Sequence, residues 1–135
     1  MTTSKKQLGN QGEELAKKYL EKNKYKILAK NFRTRFGELD FVARHKKQLV
    51  FIEVKTKSNH NFGLPEEEFT WHKKQKMRRA IQSWLWANKI ADDDWRVDLI
   101  ALDYTDNPLP SATPSFARRA GQPILRHYQA VNFIY

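Results

Sequence analysis

Glu38, Asp40, Glu53 and Lys55 are the residues of this chain whose types and spacing point to chemistry. They lie in GELDFVARHKKQLVFIEVKTK, residues 37–57, where two segments of period two flank the polar run His45-Lys46-Lys47-Gln48, the pattern of a β-hairpin. In the first segment Leu39, Phe41 and Ala43 share one face, and Glu38, Asp40 and Val42 the other. In the second, Val50, Ile52 and Val54 share one face, and Leu49, Phe51, Glu53 and Lys55 the other. Strands apolar on both sides belong inside a sheet, where acids and a lysine are costly and need a reason. A turn centred between Lys46 and Lys47 sets Asp40 opposite Glu53 and Glu38 opposite Lys55, with Cβ atoms about 4.5–5.5 Å apart. Lys-Lys is not a favoured two-residue hairpin turn, so this register is an assumption. Two carboxylates so opposed repel unless a proton or a cation lies between them. Oxygen-only ligands suit a hard divalent ion, Mg²⁺ or Mn²⁺. The neighbouring lysine could orient or deprotonate an attacking water. A structural ion-pair network within the sheet is the alternative reading of the same residues.

The elements that must position this set can be read on either side of it. Residues 7–23 carry Leu8, Leu15, Ala16, Tyr19 and Leu20 on one helical stripe, with Glu14 and Glu21 on the solvated side. Glu13 lies at the stripe's margin, where it is either a residue near the sheet-edge site or a glutamate favoured by the helix dipole. Residues 25–32 read as a short strand, and Arg33-Thr34-Arg35 leads into the hairpin. After Lys57 a polar run with Gly63 and Pro65 reads as a loop. A second helix spans about 69–90, with Thr70 as candidate N-cap and Met77, Ala80, Ile81, Trp84 and Leu85 as its buried stripe. Lys73 falls on the same side one turn earlier, while Lys76, Arg78 and Arg79 spread over the outer faces. Asp92-Asp93-Asp94 reads as an acidic turn rather than a metal cluster. Residues 95–104 alternate again and carry Asp98 as a lone acid, to be met by a basic partner or by the metal site. Residues 105–121, with three prolines, read as a long mobile loop, and 123–133 as a closing strand. The order implies one α/β domain with a mixed central sheet flanked by helices, after a flexible basic end at 1–6.

The chain has 135 residues, 25 Lys+Arg against 15 Asp+Glu, and a formal net charge of +10. That imbalance favours a polyanionic partner such as nucleic acid. The absence of cysteine excludes disulfides and thiolate metal sites and fits a reducing compartment. No apolar run reaches membrane length and the N-terminus lacks a signal-like apolar core, so a cytoplasmic protein is expected.

One set of residues, in order, extends this reading: Gly9-Asn-Gln-Gly12-Glu13 with Ala16 and Leu20, Asn31-Phe-Arg33, Gly37-Glu38-Leu39-Asp40, Phe51-Ile-Glu53-Val-Lys55, Phe62-Gly63, Lys73 with Arg79-Ala80, and Arg96-Val-Asp98. Across about residues 8–104 the chain resembles the YraN family of predicted endonucleases. That family is distantly similar to archaeal Holliday-junction resolvases and to the restriction-endonuclease-like, PD-(D/E)xK class. Trp71 stands where that family usually has proline, and 105–121 has no clear counterpart.

The resemblance implies a restriction-endonuclease-like core and Mg²⁺-dependent hydrolysis of phosphodiester bonds in nucleic acid, with branched or structured DNA as the expected substrate and 5′-phosphate products. It makes Asp40 and Glu53 the metal ligands, with the Val54 carbonyl as an added one, Lys55 the lysine beside the attacking water, and Glu13 the first-helix acid. Arg33, Arg35, Lys57 and Lys73 are expected to hold phosphate. A homodimer is a further expectation, with Trp86 on the outer side of the second helix as the exposed aromatic for an interface. A nuclease fold used only as a nucleic-acid-binding or assembly module is the competing expectation.

Overall fold

The architecture follows from two helical stripes and a sheet apolar on both sides. The structure, a computed structural model, describes residues 4–59, 61, 63–92, 94–104 and 122–132. In chain order it has α1 (Lys5–Lys22), β1 (Lys26–Thr34), β2 (Gly37–His45), β3 (Gln48–Lys57), a short 3-10 helix (Pro65–Glu68), α2 (Trp71–Ala87), β4 (Trp95–Asp103) and β5 (Ile124–Tyr128). One five-stranded sheet runs in the order β1-β2-β3-β4-β5. Only β3 and β4 are parallel, because α2 carries the chain from one to the other; the remaining neighbours are antiparallel.

Neighbouring residues of β3 face opposite ways and so divide the core into two. Leu49 and Phe51 pack with Met77, Ile81, Trp84 and Leu85 of α2. Val50 and Ile52 pack with Ala16 and Leu20 of α1. The expected stripe of α2 is buried along its whole length, and Thr70 caps the helix by accepting from the Lys73 N–H. Trp86 is 86 % exposed on its outer face.

The structure departs from the alternation and helix patterns in three places. Helix α1 begins at Lys5, because Ser4 and Gln7 exchange bonds between side chain and backbone in a capping box. Residues 4–6 are thus the start of a helix rather than part of a loose basic end. Leu39 packs in the α2 cluster, not on the Phe41 side. The pleat is interrupted beside it, where Asn31 takes φ 51° between the pairs Lys30↔Phe41 and Phe32↔Leu39. Part of the loop read after Lys57 is the 3-10 helix, pinned by ion pairs from Lys57 to Glu68 and from Arg126 to Glu66. In the acidic turn, Asp92 accepts from the Trp95 indole and Asp94 from Gln48. The reading of 105–121 as a loop, residues 1–3, His60, Phe62 and Asp93 lie outside the described residues. Among the described residues no helix is long and apolar enough to cross a membrane.

Candidate active site

The site is made where the hairpin stops being a hairpin. The β2–β3 ladder runs from His45↔Gln48 to Phe41↔Ile52, the register that places the turn at Lys46-Lys47. Both lysines take left-handed backbone, φ 50° and 68°, the geometry of a twist-matched two-residue turn. Beyond Phe41↔Ile52 the strands part. Strand β2 stays on β1 through Thr34↔Gly37, and β3 stays on β4 through Lys57↔Asp103. The result is a fork, and Asp40 and Glu53 are the first residues past its apex. The Val54 N–H, turned toward β2, donates to Asp40 Oδ2 at 2.8 Å.

The electrostatics of the fork are unbalanced. Burial pushes the Asp40 carboxyl well above the usual carboxylate range, and the charges of Glu53 and Glu13 push it further; the Val54 N–H and Lys55 only partly oppose them. Glu53 is likewise raised by burial, against the pull of Lys55 and Lys73. Lys55 Nζ lies 3.2 Å from Glu53 Oε1, with both side chains mostly covered. Lys73 reaches the same place from the first turn of α2, and partial burial together with the Lys55 ammonium lowers its own pKa. Two cations and at least two acids therefore share a small, poorly hydrated volume, the arrangement that perturbs ionisation at reactive sites.

Glu13 joins the fork from α1. Gly12 lets the helix come that close: a Cβ there would lie 2.6 Å from Thr56 Oγ1 and 3.0 Å from Leu102 Cδ1. Asn31, with its amide turned to donate, spans Glu38 Oε1 at 2.8 Å and Glu13 Oε2 at 3.3 Å. Glu38 also faces Arg33 at 3.6 Å, so its partners are Arg33 and Asn31. The opposition of Glu38 to Lys55 expected from the turn is not formed, because the ladder ends first and Lys55 turns to Glu53 on its own strand. Arg33 has a side chain 89 % exposed, and the Arg35 guanidinium lies 5.0 Å from the Phe36 ring centroid. Lys57 is committed to Glu68.

Neither the type nor the spacing of Asn31 marks it as a site group in the sequence; its place beside Glu38 and Glu13 is set by the fold. Asp98 finds its partners away from the fork. It is fully buried and accepts from Tyr25 Oη (2.8 Å), Arg96 Nε (2.9 Å) and the Ala130 N–H (3.1 Å), with His127 Nε2 at 2.8 Å. Arg96 continues to Gln48 and to His45, whose ring stacks on Tyr25 with centroids 4.0 Å apart.

The donor set can be tested against a divalent ion on these grounds. Among the described residues no three His, Cys, Asp or Glu side chains converge to hold a metal. The fork offers a carboxylate pair instead. Mg²⁺ suits such a pair, since it keeps several waters and is commonly held by one or two carboxylates plus substrate phosphate. A bound cation would favour the ionised form of Asp40 and Glu53, the form that burial disfavours in both.

Comparison with known proteins agrees with the motif set. A profile of the uncharacterised protein family UPF0102 matches residues 12–102, which include every acid and lysine of the fork. A UPF0102 protein of Caldanaerobacter subterraneus subsp. tengcongensis is 43% identical over 99 residues, 73% of this chain and 81% of the relative. One from Geobacter metallireducens is 41% identical over 105 residues, 78% and 86% of the two chains. One from Alkaliphilus oremlandii is 40% identical over 114 residues, 79% and 97%. The chain belongs to the UPF0102 family, the YraN-like group that its motifs resembled.

Proposed function

We propose that this protein is a Mg²⁺-dependent endonuclease of the restriction-endonuclease-like class, hydrolysing phosphodiester bonds in nucleic acid, with structured DNA as the leading substrate. The observation that carries the reading is the fork: two largely buried carboxylates, Asp40 and Glu53, with Lys55 3.2 Å from the second. A binding module gains nothing from burying two acids side by side, and a structural ion pair needs one of them only.

Asp40 and Glu53 would hold the ion, which supplies Lewis-acid stabilisation of the charge that builds on the phosphodiester. The chain's own groups do the rest. The Val54 N–H fixes Asp40, so one carboxylate oxygen is held in place before substrate arrives. Lys55, anchored on Glu53, presents its remaining donors to a water aligned for in-line attack. Lys73, beside Lys55, meets the phosphate and is the cation best placed to offset its charge. Glu13 adds negative potential that favours a cation at the fork.

The test is incubation with branched, flapped and single-stranded DNA in Mg²⁺ or Mn²⁺, alongside an Asp40→Ala/Glu53→Ala double variant. Cleavage present in the parent and absent in the variant is expected. Equal rates for the two proteins reject the assignment.

A further inference from the structure

A cleft of about 140 Å³ opens beside the acid pair, with Glu53 and Lys73 in one wall. Its remaining walls are unlike an ionic site. Phe36, Phe69, Met77 and Ala80 form an apolar slot, and Glu38 and Lys76 stand with them. The Phe36 ring has the guanidinium of Arg35 at 5.0 Å from its centroid and that of Arg79 at 5.7 Å. A space of about 150 Å³ has room for a single six-membered aromatic ring. The charge around the slot fits a polyanion and its walls fit a flat π system. A nucleotide combines the two.

We infer that the slot takes one unpaired base of a nucleic-acid strand whose phosphate is met by Lys73, next to Asp40 and Glu53, so the substrate must be single-stranded or unstacked at the scissile step. The inference rests on the hydrolase reading and narrows its substrate. Base-paired strands hold their bases inside the duplex, and a base must leave the stack to enter a side pocket. Phe36 supplies an aromatic surface in the slot on which a base can stack, and the guanidinia of Arg35 and Arg79 hold its ring in place. Glu38 is an acceptor at the slot's rim and favours bases with an exocyclic amine.

The test is fluorescence anisotropy in EDTA, without cleavage, using a labelled single strand, the same strand made wholly abasic, and the matching duplex. The base-bearing strand should bind about 5- to 100-fold tighter than the abasic one, the range of one stacked base. Phe36→Leu, which keeps apolar packing, should erase that ratio and leave abasic binding unchanged, whereas Phe36→Trp should preserve it. Thermal melts of both variants confirm that they are folded. Equal binding of base-bearing and abasic strands, or an equal loss on both in Phe36→Leu, overturns the slot. If Asp40-dependent cleavage persists in that case, the hydrolase reading stands without it; if no nucleic acid is bound or cut, both fall.

Discussion

Asp40 and Asp98 are both acids in apolar strands, yet their surroundings work in opposite directions. The Asp40 carboxyl is raised by burial and by like charge, so the fold disfavours its ionised form, which the unfolded chain carries more easily. Its penalty therefore shrinks as pH falls through the raised value and is gone below the unfolded one. Asp40→Asn keeps an oxygen for the Val54 N–H and removes the charge; it should stabilise the protein by about 0.5–2 kcal/mol at neutral pH while abolishing the heat of Mn²⁺ binding. Denaturant melts and calorimetric titration measure the two effects, and a destabilised variant would contradict the assignment of strain to the fork. At Asp98 burial also raises the carboxyl, but the bonds from His127, Arg96, Tyr25 and the Ala130 N–H outweigh it and pull the value down to about 2. That stabilisation is complete above the model-peptide value of 3.8 and is lost as pH falls toward about 2. Removing this carboxylate strands Arg96, so Asp98→Ala should cost about 3–5 kcal/mol at neutral pH, and its melting difference from the parent should shrink in acid.

Among elements, the fork depends on α1 lying close to β3 and β4. Gly12 is the contact that permits it, since any Cβ there runs into Thr56 and Leu102. Gly12→Ala gains up to about 1 kcal/mol in helix propensity and loses about 1–3 kcal/mol to overpacking, so the variant should melt lower. It should also displace Glu13 and weaken Mn²⁺ binding, which a variant acting on stability alone would not do. The hairpin register and the α2 stripe were legible in the sequence because both depend on local periodicity, in which residues two or four apart report on one another. Asn31's interruption of the pleat, and with it the placing of Leu39, was not legible, because alternation assumes an unbroken pleat. The partners of Asp98 were hidden for a different reason. Tyr25 and His127 lie 73 and 29 residues away along the chain, and no local pattern joins them to Asp98.

For the whole molecule, the formal charge of +10 sets how any polyanion is met. Binding of nucleic acid should weaken linearly on a log–log plot against salt, with a slope that counts neutralised phosphates. Lys73→Ala and Arg33→Ala should each lower that slope by about 1, measured by anisotropy across a salt series. Lys57→Ala should lower stability more than the slope, because Lys57 holds the 3-10 helix through Glu68. A slope unchanged by Lys73→Ala would remove this lysine from the phosphate path. The same scale explains why the two polar clusters coexist. The Asp98 network ties α1's exit, the hairpin tip, β4 and β5 into one frame, and that frame can carry a fork whose own charges oppose folding.

The hydrogen bond from Val54 to Asp40 gives the molecule a reporter of its own. Because the ladder ends at Phe41↔Ile52, two residues before Val54, the acceptor of this amide is a carboxylate that titrates and that would ligate an ion, not a strand carbonyl. Its proton chemical shift should track the charge on Asp40 as pH is lowered and should move again on adding a divalent cation. One backbone resonance would thus read out occupancy of the fork without any substrate.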